Sequence, residues 1–581
     1  MQSGEMSVKQ VTDFAFAGQG IATIGKDSLI PLDLGNIERF INSVESQRLR
    51  AHLDDINQAI AQAGMTNNKI EWWCFNAATR NPLASRFIYL MLAFRCCVEK
   101  IEEAPKESTI VLENVPDTVK IAIARQFGKR ISLFDRIAIF SRNLANTAGG
   151  IARLTALLFQ AWRVSSRHPA KQLPPGSIGL FTFVDGSARH NGDPYFGNLA
   201  ELLGDELPGT AVEHLAYVYR PYAKRIDEGE IDLSTNYSLL LSYLSWPDYL
   251  AAWCKFIGMS LVTRVPELPE APQCDRAFST ILRDTLRTEI SRGAIENYLI
   301  YKAFFKIGKS GIFSRIIYPF ENKALEKCLL TGLAGSTAVK TTGYQHSSIT
   351  KRHYAMQLVA GEFVNTPMPD RIITVGEVTR HWLLEHGFPE SKVRPGCSLR
   401  HKLDFSSNAR KAGELPRILF ALSSSRYELE STVAFMKTLK ERRSDWELGL
   451  RCHPNFPSSL LDEHDRAWLK TGITEFTGSS LADNLEWADV LGYVSSTVAL
   501  EALASGLPVI RLDIEALNPD PLLEPPPFFR ECLTVEKFIN AVEEFRALDR
   551  EARTAAVNVA RSYVRSYLKP YNDDVVKEFV N

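Results

Sequence analysis

Short apolar runs alternate with polar stretches of helical length along the whole chain, and that rhythm predicts strands and helices in turn. The runs at 177–184, 417–422 and 490–494 are almost continuously apolar, the pattern of strands covered on both faces. Further strands are predicted at 72–75, 108–112, 130–134, 338–342, 370–376, 446–451 and 473–476. Helices are predicted at 85–98, from 117, over 136–165, up to about 386 and 442, and over 481–487, 535–545 and 550–567. The stretch 198–265 reads as mainly helical, broken by Ser242-Tyr-Leu-Ser-Trp-Pro247, and helices resume beyond Pro272. Strand-helix alternation at this length means two doubly wound α/β domains. The polar connector 406–416 divides them into residues 1–405 and 406–581.

One stretch organises the second domain. After the strand 490–494 come Ser495, Ser496 and Thr497, any of which can cap the following helix. Gly506 ends that helix, Pro508 forbids its continuation, and Val509-Ile510 begins the next strand. A helix start of this kind suits either a phosphate or a simple cap. Two other strand ends carry similar chemistry: Ser423, Ser424 and Ser425 follow one strand, and His453-Pro454 follows the next. Hydroxyls, an imidazole and helix-start amides together suit one phosphate better than a diphosphate with a metal. Glu501, one turn into the helix, is placed to reach a ribose diol.

Composition narrows the field. A formal net charge of −1 argues against nucleic acid held by bulk positive charge. Nine scattered cysteines without CxxC spacing read as reduced and mostly buried, which points to the cytosol. The first ten residues lack the charged, apolar and small-residue succession of a signal peptide. The segment 151–164 is interrupted by Arg153, Gln160 and Arg163, too charged and too short to span a bilayer. Contact with a membrane surface, including its inner cytoplasmic face, stays open.

In the first domain Glu113 and Asp185 each stand just past an apolar strand, the edge at which open α/β sheets bind ligands. A carboxylate there serves as a helix cap or as a catalyst. Arg80, past the strand predicted at 72–75, is a solvated turn residue or a contact for an anion. Lys351 and Arg352 follow Gly343-Tyr-Gln-His346, whose His346 suits a cleft wall or a core position equally. No Asp-x-Asp occurs anywhere, so the familiar carboxylate site for a metal-bound nucleotide sugar is missing and no metal or cofactor is expected.

The Ser-Ser-Thr turn with Glu-Ala-Leu-Ala-Ser-Gly-Leu-Pro-Val, in a chain of two α/β halves, resembles the GT-B glycosyltransferases. The resemblance implies two Rossmann-like domains facing across a cleft, with the donor nucleotide on the C-terminal one. His453-Pro454 ahead of Ser495-Ser496 looks like the motifs of GT-B enzymes that use CMP-activated acids. Trp72-Trp73, Thr79-Arg-Asn-Pro82, Asp185-Gly-Ser187 and Asp193-Pro-Tyr-Phe-Gly197 resemble a bacterial surface-carbohydrate family that includes the retaining β-Kdo transferases of O-antigen synthesis. That resemblance covers most of the chain apart from 11–68. It implies Asp185 as nucleophile, Glu113 as its acid/base partner, CMP-Kdo as donor, and a surface polysaccharide or lipid-linked glycan as acceptor. A retaining transfer needs such a carboxylate pair. An inverting enzyme using a CMP-nonulosonate or UDP-hexose, and a non-catalytic polysaccharide-assembly subunit, remain the alternatives.

Overall fold

A computed structural model describes residues 13–16, 29–33, 41, 46–81, 85–104, 109–129, 133–184, 193–218, 237–261, 275–290, 293–336, 338–400, 415–423, 425–514, 520–571 and 573–580. The chain forms two compact units. The first takes residues 1–190, 208–342 and 354–370, and the second takes 191–207, 343–353 and 371–581. The connector expected to divide the domains falls largely outside the described residues. The last sheet does begin just after it, but the second unit reaches back to Arg371.

Three parallel sheets carry the fold. The smallest joins β1 (Asp13–Phe16), β2 (Leu29–Asp33) and β3 (Thr109–Glu113), with β3 in the middle. The seven-stranded sheet contains β4 (Ser177–Val184), β5 (Val212–Val218), β6 (Tyr237–Leu239), β7 (Phe313–Pro319), β8 (Lys340–Gln345), β9 (Arg371–Thr374) and β10 (Val393–Pro395). Its order is β10-β9-β8-β7-β4-β5-β6. All eight residues of β4 are buried, as its apolar run requires of a central parallel strand.

The last sheet holds β11 (Arg417–Ala421), β12 (Glu447–Arg451), β13 (Thr474–Glu475), β14 (Val490–Tyr493), β15 (Val509–Leu512) and β16 (Phe529–Cys532). Its order is β13-β12-β11-β14-β15-β16, with every neighbouring pair parallel. The chain thus builds outward from β11 on one side, then returns and builds outward from β14 on the other. Strand order reverses between β11 and β14, and ligands of doubly wound sheets bind outside the carboxyl ends of strands at such a reversal. The seven-stranded sheet reverses in the same way, between β4 and β7. Two parallel α/β sheets of doubly wound order are therefore present, as the GT-B resemblance implies.

Several expectations are corrected. Residues 70–73 form a helical turn, followed by the 3-10 turn Asn76–Ala78, where a strand was predicted at 72–75. Aromatic side chains favour strands, but both indoles here are buried by packing against neighbouring helices. Leu133 and Phe134 open the helix Leu133–Arg167 rather than ending a strand, and 130–132 lie outside the described residues. The stretch predicted as mainly helical contains β5 and β6, and β7 and β16 were not foreseen. In β5 the polar pair Glu213-His214 masks a buried strand; Glu213 accepts hydrogen bonds from Lys171 at 2.8 Å and Ser238 at 2.7 Å.

Candidate functional site

The three strand ends singled out in the sequence are neighbours, because β12, β11 and β14 are adjacent and parallel. At the reversal, Ser423 Oγ lies 2.6 Å from Ser495 Oγ. Both meet one carboxylate oxygen: Ser423 Oγ donates to Glu428 Oε2 at 2.7 Å and Ser495 Oγ donates at 2.8 Å. The Ser423 amide donates to Glu428 Oε1 at 2.9 Å. Glu428 occupies the third position of the helix Arg426–Arg442, and the capping Ser425 Oγ accepts from its amide at 3.2 Å. Ser425-Arg-Tyr-Glu428 is thus a capping-box sequence whose glutamate reaches past the cap to the strand ends. Ser424 lies outside the described residues.

Glu428 is fully buried. Burial pushes its carboxyl above the ordinary range, and the hydrogen bonds from Ser423 and Ser495 oppose that shift. Glu428 Oε2 and the two serine oxygens thus form one compact cluster that ties the end of β11 to the end of β14. Sequence reading missed Glu428; its capping-box spacing was the available signal.

His453 follows β12 and is partly exposed. The Asn455 amide donates to its Nδ1 at 3.2 Å, which leaves the proton of the neutral ring on Nε2. Burial lowers its pKa, so the neutral form prevails near pH 7. Ser496 is buried, and its Oγ accepts from the Val498 amide at 3.5 Å, while Thr497 caps the helix Val498–Ala504 without a side-chain bond. Gly506 closes that helix in the left-handed region at φ +84°, as expected of a glycine there.

Glu501 stands one turn into that helix. Burial pushes its carboxyl up to about 7, and the positive charge of Arg400 works against the shift. Arg400 is exposed and lies 5.8 Å from the Tyr195 ring centre, whose edge meets His346 at 5.1 Å. A tight turn holds Tyr195 in place: buried Asp193 accepts from the Tyr195 and Phe196 amides at 2.8 and 2.9 Å. Gly197 closes the turn at φ +56°, and a Cβ there would meet the Leu399 carbonyl oxygen at 2.6 Å, so only glycine lets this loop lie beside Leu399-Arg400. The second unit therefore gathers a guanidinium, an imidazole, an aromatic ring and a near-neutral carboxyl. Arg400 carries no motif and was not anticipated.

The first unit treats its candidates differently. Arg80 is neither a solvated turn residue nor a waiting anion contact. It is buried, paired with Glu362 at 2.5 Å, and donates to Asn57 Oδ1 at 3.2 Å and the Gln357 carbonyl at 2.9 Å. Its charge is already neutralised in the core. Lys351 is exposed and Arg352 half-buried, both in the second unit. Glu113 ends β3 and is followed by Asn114 in the left-handed region at φ 51°. Because β3 and β4 belong to different sheets, Glu113 and the residue after β4 do not share the single sheet edge expected of them. Asp185 lies outside the described residues; Val184, just before it, ends β4 at the reversal of the seven-stranded sheet. Among the described residues no group of three or more His, Cys, Asp or Glu side chains is placed to hold a metal ion.

No family model matches the chain, and no curated protein matches it. Solved structures do resemble it. A calicheamicin glycosyltransferase is 14% identical over 70% of this chain and 98% of its own, with a TM-score of 0.41. A glycosyltransferase from Rickettsia africae is 12% identical over 70% of this chain and 99% of its own, with a TM-score of 0.39. The UDP-GlcNAc 2-epimerase of Neisseria meningitidis, solved with UDP-GlcNAc bound, is 8% identical over 70% of this chain and 98% of its own, with a TM-score of 0.38. Likeness at this level assigns no activity.

Proposed function

We propose that the chain is a metal-independent GT-B glycosyltransferase that moves Kdo from CMP-Kdo to a surface-polysaccharide or lipid-linked acceptor with retention. The observation that carries this reading is the reversal between β11 and β14, with Ser423, Ser495 and His453 on three adjacent strand ends. In this reading the second unit holds CMP. The Nε2–H of His453 donates to the phosphate, the amides and hydroxyls after β14 complete its seat, and Glu501 accepts from the ribose diol. Arg400 takes the role first given to Arg80 and meets the donor's carboxylate, with Lys351 and Arg352 of the same unit as further candidates.

Asp185 then attacks C2 of Kdo. The bond from C2 to the phosphate oxygen breaks, and CMP leaves with the electron pair. Glu113 takes the proton of the acceptor hydroxyl, whose oxygen attacks C2 and releases Asp185. The missing Asp-x-Asp is the sequence feature behind metal independence.

CMP release from CMP-Kdo in EDTA, with and without candidate acceptors, tests the activity. Intact-mass analysis of a Glu113→Gln variant tests the mechanism, and a Kdo adduct on Asp185 is expected. Asp185→Asn should lower turnover by roughly 10³-fold or more. Substantial activity in Asp185→Asn with no adduct would mean an inverting enzyme, and no nucleotide binding at all would mean an assembly subunit.

A further inference from the structure

The helix Leu133–Arg167 is 35 residues long and belongs wholly to the first unit. Its second half packs inward through Leu154, Leu157, Leu158 and Val164, all buried. In its first half, and at Phe159 in its second, apolar side chains are instead open to solvent. Ile137 is 56% exposed, Phe140 69%, Leu144 62% and Phe159 55%. Spacings of three and four residues put the first three on one face, and Phe159, 22 positions beyond Ile137, returns to it at 100° per residue. The neighbouring helix Trp246–Leu261 extends the patch with exposed Trp246 and Leu250. Trp162 and Trp246 join the two helices edge to face at 5.2 Å, and Trp253 Nε1 donates to Thr155 Oγ1 at 2.9 Å.

Charge distinguishes this patch from an ordinary protein interface. The helix carries Arg136, Arg142, Arg153, Arg163 and Arg167 against a single acid, Asp135, in a chain whose net charge is −1. Arg142 pairs with Asp117 at 2.7 Å; Arg136, Arg153, Arg163 and Arg167 are exposed. Exposed apolar patches of this kind mark interaction sites. A long amphipathic helix with Phe, Leu and Trp on one side and arginine beside it is the composition that lies in the interface of an anionic bilayer. Among the described residues no helix is long and apolar enough to cross a membrane, so the contact would be peripheral.

We infer that the outer face of Leu133–Arg167, with Trp246 and Leu250, docks the protein onto an anionic phospholipid surface. Apolar side chains enter the headgroup boundary and the arginines meet lipid phosphates. This inference stands apart from the donor reading, because docking needs neither CMP-Kdo nor turnover.

Flotation of the full chain with phosphatidylcholine vesicles, with and without about one-third phosphatidylglycerol, tests it. Binding is expected with the anionic vesicles and should weaken with salt. The triple variant Ile137→Ser, Phe140→Ser, Leu144→Ser should lower partitioning by about 100-fold or more. Arg153→Glu with Arg163→Glu should abolish the preference for anionic lipid. An unchanged melting temperature in both variants would keep loss of binding from being loss of fold. Failure of the wild-type chain to float, or flotation of both variants like wild type, overturns the inference. So does light scattering that shows the triple variant turning a dimer into a monomer without altering flotation, since a second copy would then cover the patch.

Discussion

The two large sheets reverse strand order in the same way, and each places a buried glutamate at the third position of a helix beside its reversal. Behind β7, Glu326 accepts from the amides of Glu321, at 3.0 and 3.1 Å, and of Asn322, at 2.8 Å. Behind β11, Glu428 accepts from one amide and two hydroxyls, and one of those hydroxyls comes from the end of the neighbouring strand β14. The first arrangement closes a turn with main-chain donors alone. The second joins two strand ends at the place where a doubly wound sheet receives its ligand. One capping device thus serves as pure architecture in one unit and as the floor of a candidate site in the other, and serine hydroxyls make the difference.

The cations divide similarly: Arg80 is locked in the core of the first unit by Glu362, whereas Arg400 of the second stands exposed beside Tyr195. The largest expected effect sharpens that contrast. Arg80→Ala leaves Glu362 as an uncompensated buried charge and should cost about 3–5 kcal/mol of stability in chemical denaturation. Arg400→Ala should leave stability unchanged. If Arg80→Ala were as stable as wild type and lost activity instead, the division would be wrong.

Next comes pH. Burial, with Glu321 beside it, pushes the Glu326 carboxyl from 4.5 up to about 8. The folded chain therefore holds that proton more tightly than the unfolded chain. Its contribution is complete below about pH 4.5 and is lost as pH rises toward 8. Stability measured across that window should fall less steeply in Glu326→Gln than in wild type. Equal slopes would contradict the assignment.

Substitutions at Glu428 come third. Glu428→Ala strands buried Ser495 and half-buried Ser423 and should cost about 1–3 kcal/mol. Glu428→Gln keeps the shape and one carbonyl acceptor and should cost less than half as much. A larger loss in Glu428→Gln than in Glu428→Ala would mean that the negative charge matters. Smaller again is His453→Ala, expected to weaken CMP binding about tenfold, the worth of one hydrogen bond to a charged group, with no change in melting temperature.

Much of this was legible in the chain itself. Strands that are almost continuously apolar, such as β4, β11 and β14, announce burial on both faces, and Leu481–Trp487 and Arg550–Tyr567 begin just after the capping Ser480 and Asp549. The convergence of Ser423, His453 and Ser495 followed from reading every strand end as one edge. Strands with polar interiors were hidden, because the ion pairs and hydrogen bonds that make them tolerable come from distant segments; Arg315 of β7, for example, donates to Thr342 Oγ1 at 3.1 Å. Arg80 was misread for the same reason, since Glu362 lies far along the chain. Sheet membership was equally out of reach, and so the separation of β3 from β4 changes what can be asked of Glu113.

Calorimetric titration of the full chain with CMP and with UDP, in EDTA, tests the central claim most directly. One CMP site is expected, weakened by His453→Ala, with no detectable binding of UDP. Absence of CMP binding, or CMP binding that ignores His453, would contradict it.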